Sequence, residues 1–302
     1  MLISFGYDIS LRLEVETTVL FCLRVHPSRR KDIVSGENFQ IEPQRPFEEY
    51  LNGFGNICGR VHCKPGIVRF VNQGVIRDSG QLDAYEPSAA QDEIFNLPQQ
   101  TLEYLLPSRY CEVDSELANF AWANFSTTSL GWSRVQAICD FVHGHIQFDY
   151  QKARATRTAL DAFRERVGVC RDFTHLAVTL CRCMNIPARY VTGYLGDIGI
   201  PPVPDPMDFS AWMEVYLGGR WFTFDPRHNR RRIGRIVIAR GRDASDVAIT
   251  TVFGNHTLGK FLVKTEEVKV NGAPECRQTS ETQKIDDPGN GRISQRVDTL
   301  AA

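Results

Sequence analysis

The 302-residue chain has no run of about 20 apolar residues, which excludes a membrane-spanning helix. Neither sign of charge prevails. There are 35 Lys and Arg against 36 Asp and Glu, so a broadly basic nucleic-acid coat and a polyacidic tail are both excluded. Internal repeats are absent. The start, Met1 to Phe21, lacks a basic n-region, and Asp8, Arg12, Glu14 and Glu16 interrupt its apolar residues, so no secretory signal is read there. A disulfide framework is also missing. The nine cysteines are an odd number scattered over a chain too large to need staples, which favours free thiols and a cytoplasmic location. Metal spacing is incomplete at Cys181 and Cys183 and at Cys58, His62 and Cys63, and no calcium-loop pattern occurs, so neither metal nor cofactor is expected.

What is present divides into three textures. Residues 1–112 read as an antiparallel β domain. Short apolar or β-branched runs at Val19 to Val25, Ile67 to Val75 and Thr101 to Leu106 are broken by Gly, Pro, Asn and Asp. Residues 113–270 read as a mixed core that begins helical. Trp132, Val135, Ile138, Cys139, Val142 and Ile146 share one helix face, with Ser133 or Thr128 as the cap. A second helix opens near Cys170, carries an apolar stripe from Phe173 to Met184, and stops at Asn185 and Pro187. A strand over Ala188 to Leu195 follows, then a hairpin of Ala211 to Leu217 and Arg220 to Asp225 around Gly218-Gly219. The five arginines from Arg227 to Arg235 lack interleaved aromatics and read as an ion-paired surface rather than a nucleic-acid site. Residues 271–302 are polar throughout and are expected to form a disordered tail.

Two segments carry chemistry. In Gly168-Val169-Cys170-Arg171-Asp172-Phe173, a cysteine follows a glycine turn and opens a helix. The helix N-terminus and Arg171 would both favour its thiolate. In the hairpin, a two-residue turn pairs residues whose numbers sum to 437, so Trp212 faces Asp225 and Ser210 is the diagonal neighbour of Asp225 on one face. His175 is about 140° around its helix from Cys170, and His228 would fall on the sheet face opposite Asp225 if the strand continued.

The ordered motifs Gly-Val-Cys-Arg-Asp-Phe, Ile186-Pro187-Ala188-Arg189-Tyr190, Ala-Trp-Met-Glu-Val-Tyr and Trp-Phe-Thr-Phe-Asp-Pro resemble the bacterial transglutaminase-like superfamily over residues 115 to 250. The resemblance implies an α+β chain with a papain-like core, in which a helix carrying the nucleophile packs on an antiparallel sheet, preceded by the β-rich domain. It implies a Cys-His-Asp triad whose cysteine falls on Cys170 and whose aspartate falls on Asp225. The family histidine stands immediately before Ala-Trp, and this chain has Ser210 there. The implied activity is thiol-dependent acyl transfer or hydrolysis on protein glutamine or peptide amides, impaired by Ser210. The alternative is a non-catalytic protein that binds peptide or protein. Either way the partner is a protein or peptide and not a membrane.

Overall fold

The computed structural model describes residues 1–203 and 207–268. The expected tail at 271–302 and residues 204–206 lie outside the described residues. The N-terminal part runs through β1 (Leu2–Leu13), β2 (Thr17–Phe21), β3 (Ile33–Ser35), β4 (Gln40–Glu42), β5 (Phe47–Leu51), β6 (Ile57–Cys63) and β7 (Gly66–Arg77). Alternation drives this layer. In β1 the residues Ile3, Phe5, Tyr7, Ile9, Leu11 and Leu13 all point inward and are buried. The expected strand at Thr101 to Leu106 is instead helical, as α1 (Gln99–Leu102) and a 3-10 turn over Glu103–Leu105. Pro98 sits at the N-cap, and the proline is compatible with a helix start there.

The helical layer comprises α2 (Glu116–Phe125), α3 (Trp132–His145), α4 (Ala159–Glu165) and α5 (Cys170–Cys183), with a short parallel pair, β8 (Gln147–Phe148) and β9 (Val167–Gly168), between them. The cap of α3 is Gly131 rather than Ser133 or Thr128. Gly131 holds a positive φ of 81°, and the Thr128 hydroxyl accepts instead from Arg134 Nε. Then come β10 (Ala188–Tyr194), β11 (Phe209–Leu217), β12 (Arg220–Phe224) and β13 (Ile236–Gly241). The chain closes with β14 (Thr250–Val252) and β15 (His256–Glu267).

Three antiparallel sheets result, in the orders β15-β1-β7-β3 (with β4 also on β7), β14-β2-β6-β5 and β12-β11-β10-β13. Strands late in the chain thus complete the sheets begun at its start. One apolar cluster joins β1, β2, β6 and β7 to Tyr190, Phe209, Ala211 and Ile238, and the second packs α2 to α5 on Met213, Val215, Phe222 and Phe224. Because both faces are covered, all nine residues of β11 are buried, and so are all fourteen of α5. The apolar stripe of α5 therefore does not mark a surface helix. Its polar face is buried as well, with partners: Arg182 donates to the carbonyls of Ala188, Leu106 and Arg242.

Candidate active site around Cys170

Cys170 is the first residue of α5, directly after Val169 at the N-cap. Asp172 holds this turn. Its Oδ2 accepts from Val169 N at 2.8 Å and from Arg157 Nη1 at 3.0 Å. A Cβ at Gly168 would come within 2.5 Å of that same oxygen, so only glycine leaves room for the carboxylate. Replacing Asp172 by Ala removes the acceptor of the Val169 amide and one of the two carboxylates on the buried Arg157 guanidinium, which keeps Glu165. We expect about 1.5–3 kcal/mol of destabilisation, read by urea denaturation. A loss below about 1 kcal/mol would mean the turn does not depend on this carboxylate.

Cys170 is buried, with 5% of the residue exposed. Burial pushes its thiol up to about 11. The Arg227 guanidinium and the Ala211 backbone N–H oppose that shift, while Asp208 and Asp172 add to it. The Ala211 amide lies just past Met213↔Phe224, where the β11–β12 ladder ends. The thiolate is thus not favoured as its place on the helix suggests. Arg171, expected to help, turns aside to the Arg154 carbonyl and lies 6.0 Å from the Tyr110 ring. Arg227 takes that part, a residue that sequence spacing did not single out.

Asp208 is a second group that the sequence reading missed. Burial raises its carboxyl to about 6. It accepts from the Tyr150 hydroxyl and from Phe209 N at 2.6 Å. Both Asp208 and Tyr150 act electrostatically on Cys170.

The hairpin register is the one expected. Met213↔Phe224 and Leu217↔Arg220 are paired, and Gly218 and Gly219 carry φ of 53° and 85°. Ser210 pairs with Gly193 and is buried. By alternation it shares a face with Trp212. A Cβ at Gly193 would come 2.8 Å from the Trp212 ring, so that ring covers Gly193 beside Ser210.

Asp225 lies just beyond β12. Burial alone would raise its carboxyl, but Arg235 and His228 hold it well below the usual carboxylate range. Its Oδ2 accepts from Arg235 Nη2 and from His228 Nδ1, each at 2.9 Å, and its Oδ1 accepts from His228 N at 3.0 Å. Arg235 also lies 4.9 Å over Trp212, which places the carboxylate on the Ser210–Trp212 side of the sheet. His228 therefore does not fall on the opposite face from Asp225. The strand stops at Phe224, and a turn closed by Asn229 N on the Asp225 carbonyl brings the imidazole back onto the carboxylate. The Asp-Pro pair at 225 and 226 is the sequence signal for that turn.

The other histidines are occupied elsewhere. His175 is fully buried, stacked 5.0 Å from Tyr110, and its Nε2 accepts from Ala244 N. Burial holds it neutral. His143 Nδ1 meets the Arg227 carbonyl, and His145 meets the Phe163 carbonyl. Among the described residues, no three His, Cys, Asp or Glu side chains gather as a metal site, and no helix is long and apolar enough to cross a membrane.

Comparisons with known proteins fit this geometry. A family model of the transglutaminase-like superfamily matches residues 118–226, the stretch from α2 to just past Asp225. A solved structure from Cytophaga hutchinsonii, described as a candidate cysteine protease, is 28% identical with a TM-score of 0.77. The match covers 91% of this chain and 93% of that one. An uncharacterised protein of Mycobacterium leprae is 36% identical over 94 residues, which is 30% of this chain and 33% of the relative. One of Mycobacterium tuberculosis is 39% identical over 92 residues, 27% and 29% respectively. The chain thus spans about a third of the length of these curated relatives. With the cysteine helix packed on the antiparallel hairpin sheet and the family model lying over both, residues 118–226 are a transglutaminase-like domain, in a chain of α+β, papain-like fold.

Proposed function

We propose that the chain performs thiol-dependent acyl transfer, with Cys170 as nucleophile, on a glutamine or peptide amide of a protein substrate. In this reading the Cys170 sulfur attacks the amide carbonyl carbon. The C–N bond breaks, the amine leaves with a proton, and water or a second amine then resolves the thioester. The backbone N–H of Cys170 is the candidate oxyanion donor. No cofactor enters this chemistry.

The observation that carries the reading is the hydrogen bond between His228 Nδ1 and Asp225 Oδ2. Ser210 can neither take the thiol proton nor return it to the amine. Asp225 nevertheless holds an imidazole. An ionised carboxylate on Nδ1 fixes the proton there and leaves the Nε2 lone pair available, the tautomer a general base requires. His228 is only partly buried, with a fifth of its side chain exposed. Its neighbour Arg227 acts on the Cys170 thiol. We therefore assign His228 as the proton acceptor in place of residue 210.

The test is trapping of an acyl adduct on Cys170 from an activated peptide ester, followed by intact-protein mass spectrometry. One adduct is expected on the wild-type chain and none on Cys170→Ala. A second reading, a non-catalytic peptide-binding groove, is favoured by the thiol's rise to about 11 and by Ser210. It predicts that peptide binds equally to both proteins with no adduct on either.

A further inference from the structure

Cys22 follows β2 directly and Cys58 lies in β6. The β2–β6 ladder pairs Thr17 with Cys63 and Phe21 with Gly59, so one step further Cys22 stands directly opposite Cys58, on the same face. The Cys22 amide donates to the Ile249 carbonyl at 3.0 Å, on the β14 side. In an antiparallel sheet a residue's N–H and C=O point the same way, so toward β6 Cys22 and Cys58 form a non-hydrogen-bonded pair. Such pairs bring Cα atoms to about 4.5 Å and side chains closest together, which lies inside the range a disulfide spans. The two sulfurs are in fact 2.7 Å apart. Both thiols are free and mostly covered, 5% exposed at Cys22 and 7% at Cys58.

We propose that Cys22 and Cys58 are an oxidative modification site, closing to an intramolecular disulfide that ties β2 to β6. Nothing in the acyl-transfer reading is needed for it. The oxidant is a small peroxide. The Cys58 sulfur attacks one peroxide oxygen, the O–O bond breaks, and a sulfenic acid and hydroxide form. The Cys22 sulfur then attacks that sulfenic sulfur, the S–O bond breaks, and a second hydroxide leaves. With the two thiol protons, the balance is two thiols and one hydrogen peroxide giving one disulfide and two waters. Cys58 is the first to react for a physical reason. It is the slightly more exposed of the two residues, and the contact between the sulfurs lowers its thiol, while the same contact and burial raise that of Cys22.

The experiment treats the full chain with hydrogen peroxide, quenches with catalase, alkylates the unfolded protein and maps peptides by mass spectrometry. The expected product is a linked pair of peptides carrying Cys22 and Cys58, 2 Da lighter than the sum of the reduced ones. Closing that loop constrains the unfolded chain, so the oxidised protein should melt about 5–10 °C higher than the reduced one. The gain should reverse with dithiothreitol and be absent in Cys58→Ala. Recovery of Cys22 and Cys58 as alkylated thiols or as separate sulfinic acids overturns the proposal. So does a linked pair in the wild type with no change in melting, because a bridge between directly opposed strands must restrict the unfolded state.

Discussion

Replacing His228 with Ala should lower Cys170-dependent turnover by about 100- to 10,000-fold, the usual worth of general acid–base assistance. The argument rests on Asp225. Its carboxylate is buried, held by Arg235, and its remaining donor on Oδ2 is the His228 imidazole. Removing that ring should leave the fold intact, because the Arg235 pair stays and the turn is also closed by the Asn229 amide. The loss should therefore appear in kcat with little change in melting temperature. A second substitution sharpens the test. Ser210 lies on the Trp212 side of the sheet, the side that carries the Asp225 carboxylate, so a histidine there is expected to take the contact that His228 vacates. Placing Ser210→His in the His228→Ala background should restore part of the rate, and Asp225→Asn should remove the gain. If His228→Ala leaves turnover unchanged, His228 is not the base. If Ser210→His alone raises the wild-type rate by 100-fold or more, the chain is one whose base was lost rather than moved.

How far the sequence alone reached is seen at particular residues. The hairpin was readable because two glycines at positive φ fix a two-residue turn, and the turn fixes every pair behind it. The helix that opens at Cys170 was readable from its apolar spacing and from the glycine before it. Its burial on every side was not, because the partners of Arg182 come from residues 76, 6 and 60 positions away. The strand at 256–267 pairs with β1 across almost the whole chain, and no local pattern names that partner. The site shows the same limit. Cys170, Ser210 and Asp225 came from motifs, and their placement follows helix and hairpin geometry. Asp208, Tyr150 and Arg227 act electrostatically on the cysteine from three separate stretches of chain, each next to a residue that looks ordinary in sequence. His228 could be placed from sequence only on the condition that the strand continued past Asp225, and it does not. Face alternation holds only while the strand lasts, and the strand ends four residues earlier, at Phe224.

The pH dependence of Cys170 alkylation separates those loop residues. With the thiol pushed up to about 11, about one molecule in a thousand carries the thiolate at pH 8. The rate of reaction with iodoacetamide should then rise about tenfold per pH unit from 7 to 10 with no plateau in that range. Each neighbour moves the curve in a defined direction. Arg227 stabilises the thiolate, so Arg227→Met raises the thiol further and slows labelling at pH 8. Asp208 opposes the thiolate only when ionised, and burial raises its own carboxyl to about 6. Above pH 6 its negative charge is in place, so Asp208→Asn removes a repulsion and speeds labelling. Below pH 6 the wild-type carboxyl is already neutral and the two proteins should converge. A shift of one pKa unit is a tenfold change in rate, well within what timed alkylation and peptide mapping resolve. Two results would overturn this account: a wild-type plateau near pH 8, which would mean the thiol is not raised in solution, or a slower Asp208→Asn at pH 8. The second would make the carboxylate an acceptor for the thiol proton rather than a charge that holds it on.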